Sequence, residues 1–195
     1  MICSLPDVKY WNRFDGWSDF RYYDLPRDEP NKSLTEIINL PARVVNLMCG
    51  AVGHVPSDLG VDISEKMLSR NRDIERYLVW DLNDNTKEYP IGDSEFDAAV
   101  MVSGIAYLKH PAHTFSEVNR ILDTNGQFVI AFGHKYHSDK VSDKWQEVFG
   151  DERLAWLQSL FNQTGFGEQT VRVIETPQFA FYPHHKFHIV HARKK

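Results

Sequence analysis

Cysteine is scarce: two residues, Cys3 and Cys49, in a chain of 195. Two thiols so far apart make no disulfide framework, and a reducing, cytoplasmic setting is the expectation. The opening "MICSLPDVKYW" has no basic segment followed by a long apolar run, so no signal peptide is expected. No stretch approaches the roughly 20 apolar residues of a membrane span. Charge of one sign is also lacking: the net charge of −5 is mild. It gives no electrostatic reason to expect nucleic acid or an anionic membrane as partner. Internal repeats and low-complexity segments are missing. So is the G-x-G-x-x-G fingerprint, which argues against a dinucleotide ligand.

What is present is an ordinary apolar share, 42%, with a generous aromatic share, 13%. The low-hydrophobicity, high-charge pattern of disorder does not occur, and the length supports one large core. Residues 1–30 are aromatic and contain Pro26 and Pro30. They are expected to form an arm that packs on the domain or lids a pocket, with Tyr22 and Tyr23 as candidate substrate contacts. Residues 31–195 then read as one α/β domain.

From Ser33 the pattern is helical, with Leu34, Ile37 and Ile38 on one face, an Asn31 or Ser33 cap and a stop at Pro41. "ARVVNLM", "LGVDIS", "RYLVWDL", "FDAAVMVSG" and "QFVIAFG" read as strands. Helices are expected in "EKMLSRN", capped by Ser64, in "AHTFSEVNRIL", and over 143–163 with a break at 150–152. "DTNG" reads as a turn, and "TVRVIET" and "FHIVHARKK" close the chain as strands. Alternating strands and helices imply parallel pairing through crossovers. The expected architecture is a doubly wound α/β fold with a mostly parallel seven-stranded sheet and an antiparallel hairpin at its C-terminal edge.

Ligands of such sheets sit at the carboxyl ends of the strands, at the switch point. Those ends carry Met48, Cys49 and Gly50, then Asp62 and Ile63, then Asp81 and Leu82, then Ser103. An acid ending the second strand can accept both hydroxyls of a ribose. One ending the third can accept an exocyclic adenine amine. Glycine lets the backbone approach a ligand closely. An adenosine-bearing ligand suits this set.

These residues also carry a resemblance. "VVNLMCGAVG", "GVDISEKML" and the run from "YPIGDSEFDAAVMVSG" through "FSEVNRILDTNGQFVIAF" resemble the class I S-adenosylmethionine-dependent methyltransferases in their small type 11 form. A D-L-N run, Asp81-Leu82-Asn83, and the stretch after the fifth strand resemble a methyltransferase-like subgroup of cyanobacteria and plants. The resemblance implies a Rossmann-like methyltransferase fold and S-adenosyl-L-methionine as cofactor. It implies cofactor contacts from Asn46, Met48, Cys49, Gly50, Asp62, Ile63, Asp81, Leu82 and Ser103.

The sequence departs from that family in two places. Asn46 stands where an acidic residue is usual, and Met48 and Cys49 replace small residues. Only Cys49 to Asp58 separate the first two strands. A crossover with its helix needs about 10–12 residues or more. The first crossover helix is therefore expected to be one turn or absent, which weakens a helix N-terminus as an anion site. His54, or Arg13, Arg21 or Arg27 of the arm, are the candidates to compensate.

Methyl transfer is an in-line displacement that gains chiefly from positioning and water exclusion. A base helps only where the acceptor loses a proton. His134, His137 and Tyr107 are the candidate catalytic residues, with Tyr107 and His134 also candidate substrate contacts beside Tyr22 and Tyr23. No metal is expected: His188 and His191 fall on opposite faces of a strand, without Cys or acidic ligands at suitable spacing. The leading expectation is a methyltransferase for a small molecule. The alternative is a methyltransferase-like protein with a degenerate cofactor site. It would bind or regulate without methylating, or use the pocket for other chemistry.

Overall fold

The structure is a computed structural model, described here for residues 28–39, 42–133, 140–176 and 185–195. In chain order the elements are α1 (Asp28–Ile38), β1 (Val44–Leu47), β2 (Ser57–Asp62), α2 (Glu65–Leu68), β3 (Ile74–Val79) and β4 (Phe96–Val102). There follow a 3-10 turn (Gly104–Tyr107), α3 (Pro111–Ile121), β5 (Leu122–Phe132), α4 (Asp143–Glu147), α5 (Asp151–Gln163), β6 (Phe166–Thr176) and β7 (His185–Lys194). The strands form one sheet in the order β3-β2-β1-β4-β5-β7-β6. Pairing is parallel from β3 to β5, and antiparallel between β5 and β7 and between β7 and β6. The switch point lies between β1 and β4.

The burial pattern explains the strands. β1, with four buried residues, and most of β4 are covered on both faces, so they read as continuous apolar runs. On one face Val45, Leu47, Leu59, Val61 and Phe128 meet α3 and α5 through Phe115, Val118, Leu157 and Phe161. Phe115, Phe128 and Phe161 stack edge to face, with ring centroids 5.0–5.6 Å apart. On the other face Val44, Val100, Val129 and Ile189 pack against Leu34 and Ile38 of α1.

Two local outcomes differ from the sequence reading and two agree with it. Helix α1 begins at Asp28, three residues inside the expected arm. Its Pro30 lies in the first turn, where the missing N–H has no intrahelical partner anyway, and Asp28 and Glu29 suit the helix N-terminus. "DTNG" is a bulge inside β5: Asn125 takes φ 62°, and the β4 register jumps from Leu122 to Gln127. The β1–β2 link carries no helix. The break expected near 150–152 does separate α4 from α5, over 148–150.

The two short connections, one without a helix and one with the four-residue α2, leave a mark on the sheet. Right-handed crossovers place the β1–β2 and β2–β3 connections on one face. The row Tyr77, Gly60, Asn46, Val100 runs across that face through consecutive pairings. Over β3 that face is open, and Tyr77 and Val79 are 43% and 44% exposed.

Candidate functional site at the carboxyl ends of the strands

The link from β1 to β2 is a loop held by side chains. Met48 leaves β1 at φ 53° and Gly50 follows at φ 53°. The left-handed region is natural for Gly50 and unusual for a long side chain such as Met48. Met48 is accommodated because Gly104 faces it. A Cβ on Gly104 would lie 2.9 Å from Met48 Cβ and 2.8 Å from Met101 Cγ. Met48 and Gly104 thus close the switch point between β1 and β4. Cys49 is buried, and a Cβ on Gly60 would meet its Sγ at 2.9 Å. Burial, and then the Asp62 charge, push the Cys49 thiol up to about 12, so it is a packing group and no nucleophile.

Gly50 is pinned on both sides. Its N–H donates to Asp62 Oδ2 at 3.0 Å, and its carbonyl accepts from Asn71 Nδ2 at 3.1 Å. Gly53 is fixed likewise: its N–H donates to Asp73 Oδ2 at 2.9 Å, and its carbonyl accepts from Asn46 Nδ2. Asn46 is 1% exposed and its amide also reaches Ser57 Oγ at 3.4 Å. Asn46 therefore lies under the loop and clamps it, on the face that a crossover helix would cover. Val52 N–H donates to the Cys49 carbonyl at 3.2 Å.

Asp62 ends β2 half-buried. Oδ1 accepts the Ser64 N–H at 3.0 Å and Oδ2 accepts the Gly50 N–H. Each carboxylate oxygen has about two acceptor sites, so one on each oxygen is not used by these bonds. Burial raises the Asp62 pKa above the ordinary carboxylate value, against the lowering effect of the N–H donors from Ser64, Gly50 and Ile63. Ile63 is half-buried next to it. The Ser64 hydroxyl caps α2 by accepting from Met67 N.

The end of β3 is tied to the end of β4. Asp81 is exposed, and its Oδ1 accepts the Asn83 N–H at 2.9 Å in an Asx turn. Asn83 then bridges: Nδ2 donates to the Tyr107 carbonyl at 3.2 Å, and Oδ1 accepts the Lys109 N–H at 2.6 Å. Leu82 is buried, and its carbonyl accepts from Tyr89 Oη at 3.3 Å and Thr114 Oγ1 at 3.4 Å. Ser103, at φ 59°, donates its N–H to the Ala131 carbonyl at 2.7 Å and joins β4 to β5.

Asn46, Met48, Cys49, Gly50, Asp62 and Ile63 thus gather around the β1–β2 link. Asp81, Leu82, Ser103 and Tyr107 mark the adjoining strand ends. The predicted Tyr22, Tyr23, His134 and His137 lie outside the described residues, as do Arg13, Arg21 and Arg27. His188 stacks on Phe132 at 5.2 Å, and His191 Nδ1 lies 3.3 Å from Thr170 Oγ1. Among the described residues no three His, Cys, Asp or Glu side chains converge as a metal-binding group. The sequence reading missed Asn71 and Asp73, which hold the loop from across β2, and the bridging role of Asn83. Only the D-L-N run gave Asn83 a signal.

The run Glu117-Val118-Asn119-Arg120 is structural. The Glu117 carboxylate accepts the Tyr89 N–H at 2.6 Å and pairs with Arg120 at 2.8 Å. Arg120 donates to the carbonyls of Tyr89 and Ile91 and to Asp93. Helix α3 thereby fastens the loop that feeds β4. Burial opposes the charge of Glu117, but the Arg120 and Tyr89 donors outweigh it and hold its pKa below the usual value.

Comparison with known proteins gives a coherent picture. A family model described as "Methyltransferase domain" (type 11) matches residues 47–130, from the end of β1 into β5. The demethylmenaquinone methyltransferase of Staphylococcus saprophyticus is 26% identical over 150 residues, 63% of this chain. The match spans 64% of that relative's own length, a little under two thirds. Among solved structures, a Thermotoga maritima S-adenosylmethionine-dependent methyltransferase, described as a possible histamine N-methyltransferase, superposes with a TM-score of 0.66. It is 20% identical, over 95% of this chain and 98% of its own. A Haemonchus contortus phosphoethanolamine N-methyltransferase 2, solved with phosphomonomethylethanolamine and S-adenosylhomocysteine, has a TM-score of 0.62 at 14% identity. It covers 96% of this chain and 58% of its own. At these identities the structural likenesses speak for the fold.

Proposed function

We propose that the chain is a class I S-adenosylmethionine-dependent methyltransferase of the type 11 kind and that it transfers the methyl group of S-adenosyl-L-methionine to a small-molecule acceptor; the family-model match over residues 47–130 and the shared fold support this reading. The observation that carries this reading is Asp62. Its carboxylate ends β2 beside the pinned Gly50, with Oδ2 facing the Gly50 N–H and Oδ1 the Ser64 N–H. Two vicinal ribose hydroxyls match that pair of oxygens. Asn83 ties the loop after β3 to the loop after β4, the strand ends proposed to face the adenine. The cofactor, when bound, supplies an electrophilic methyl on a sulfonium. The chain's part is to orient the nucleoside, to hold the acceptor in line and to exclude water.

The acceptors in the names of the similar proteins, demethylmenaquinone, histamine and phosphoethanolamine, are small molecules and support this reading. Tyr107, His134 and His137, which follow β4 and β5 in the sequence, are the residues proposed to meet the acceptor. A direct test incubates the purified chain with methyl-labelled S-adenosylmethionine and a fractionated cell extract. Label is expected in the fraction passing a small-cutoff ultrafilter. Label confined to protein or nucleic acid, or no transfer to any fraction, would contradict the proposal.

A further inference from the structure

We infer that the site grips its ligand almost wholly by the nucleoside and discriminates little at the amino-acid end. This inference rests on the adenosyl reading of Asp62 and deepens it. The argument comes from what the β1–β2 link has already committed. A crossover helix would point several unpartnered backbone N–H groups and a partial positive charge at a carboxylate. Here the link has no helix. The N–H of Gly50 is given to Asp62, that of Gly53 to Asp73 and that of Val52 to the Cys49 carbonyl.

The side chains point the same way. Asn46 is spent on the Gly53 carbonyl and Ser57 and is nearly sealed from solvent. Residues 46–58 contain no Lys or Arg, while Asp58, Asp62 and Asp73 carry carboxylates in or against the link. The left-handed Met48 brings a thioether side chain against Gly104 at the switch point, where a residue without one would leave room. Among the described residues the link therefore offers a ligand carboxylate no Lys or Arg, His54 being its one side chain able to carry positive charge, and the amides of Gly50, Val52 and Gly53 are committed. The ribose carboxylate, by contrast, is in place.

A truncated ligand tests this. S-adenosylhomocysteine and 5′-methylthioadenosine share the adenosine and the thioether and differ in the amino-acid end. A carboxylate held by two charge-assisted bonds ordinarily contributes about a hundredfold or more in affinity. Isothermal titration of the full chain with each compound is expected to give affinities within about tenfold of one another. A larger preference for S-adenosylhomocysteine would overturn the inference and leave the adenosyl site standing. Binding of neither compound at millimolar concentration would overturn the adenosyl reading itself, and the inference with it.

Discussion

Asn46 shows how one residue takes its meaning from the loop above it. Its position in β1 invites comparison with an acidic ligand contact, yet its amide nitrogen faces a carbonyl, that of Gly53. A carboxylate there has no proton to give. Asn46→Asp is expected to lower stability by at least about 2 kcal/mol, because it leaves a buried acceptor unsatisfied beside a buried charge. In a chain of this size that is a fall of roughly 5 °C or more in Tm. Burial raises the pKa of such an aspartate, so the loss grows as pH rises through it and shrinks in acid, where the acid can donate. Thermal unfolding of both proteins at neutral and acidic pH checks the direction. Asp62 was legible as a strand-end carboxylate from its place after an apolar run, and it ends β2 half-buried beside Gly50. The clamp was not legible, because its partners Gly53, Asn71 and Asp73 are joined to it through space and follow no period.

At the scale of elements, the strands were legible because a doubly covered sheet needs apolar runs with turn residues between them. The helix ends and the bulge were not. Pro30 and Asn125 obey local rules that permit more than one outcome, and tertiary pairing with β4 decides for Asn125. The α3 signature can be tested directly. Glu117 is 6% exposed and anchors Arg120 and the Tyr89 N–H. Glu117→Ala leaves Arg120 without its buried carboxylate partner and the Tyr89 N–H without its acceptor, and about 3 kcal/mol of stability is expected to be lost, roughly 6–12 °C in Tm. Because the folded-state pKa of Glu117 is depressed from 4.5, its contribution is complete above that value and is lost as pH falls through the folded value. Glu117→Gln is therefore expected to flatten the acid limb of a stability–pH profile. An unchanged limb would place the acid sensitivity elsewhere.

For the whole molecule, strand order, the antiparallel edge and the short first crossover make one design. The β1–β2 connection has been reduced to a cross-braced loop and the β2–β3 connection to a four-residue helix, and Tyr77 and Val79 on the edge strand β3 stay exposed. In the proposed site the nucleoside would be held by the strand ends, while the β1–β2 link carries no helix to face an amino-acid end. The central claim is that Asp62 holds the ribose of an adenosyl ligand, and a crystal structure with S-adenosylhomocysteine tests it most directly. The account predicts both ribose hydroxyls within hydrogen-bond distance of the two Asp62 oxygens, with Gly50 still donating to Oδ2. A ligand seated elsewhere, or an Asp62 that touches only Gly50 and Ser64 in the complex, would contradict it.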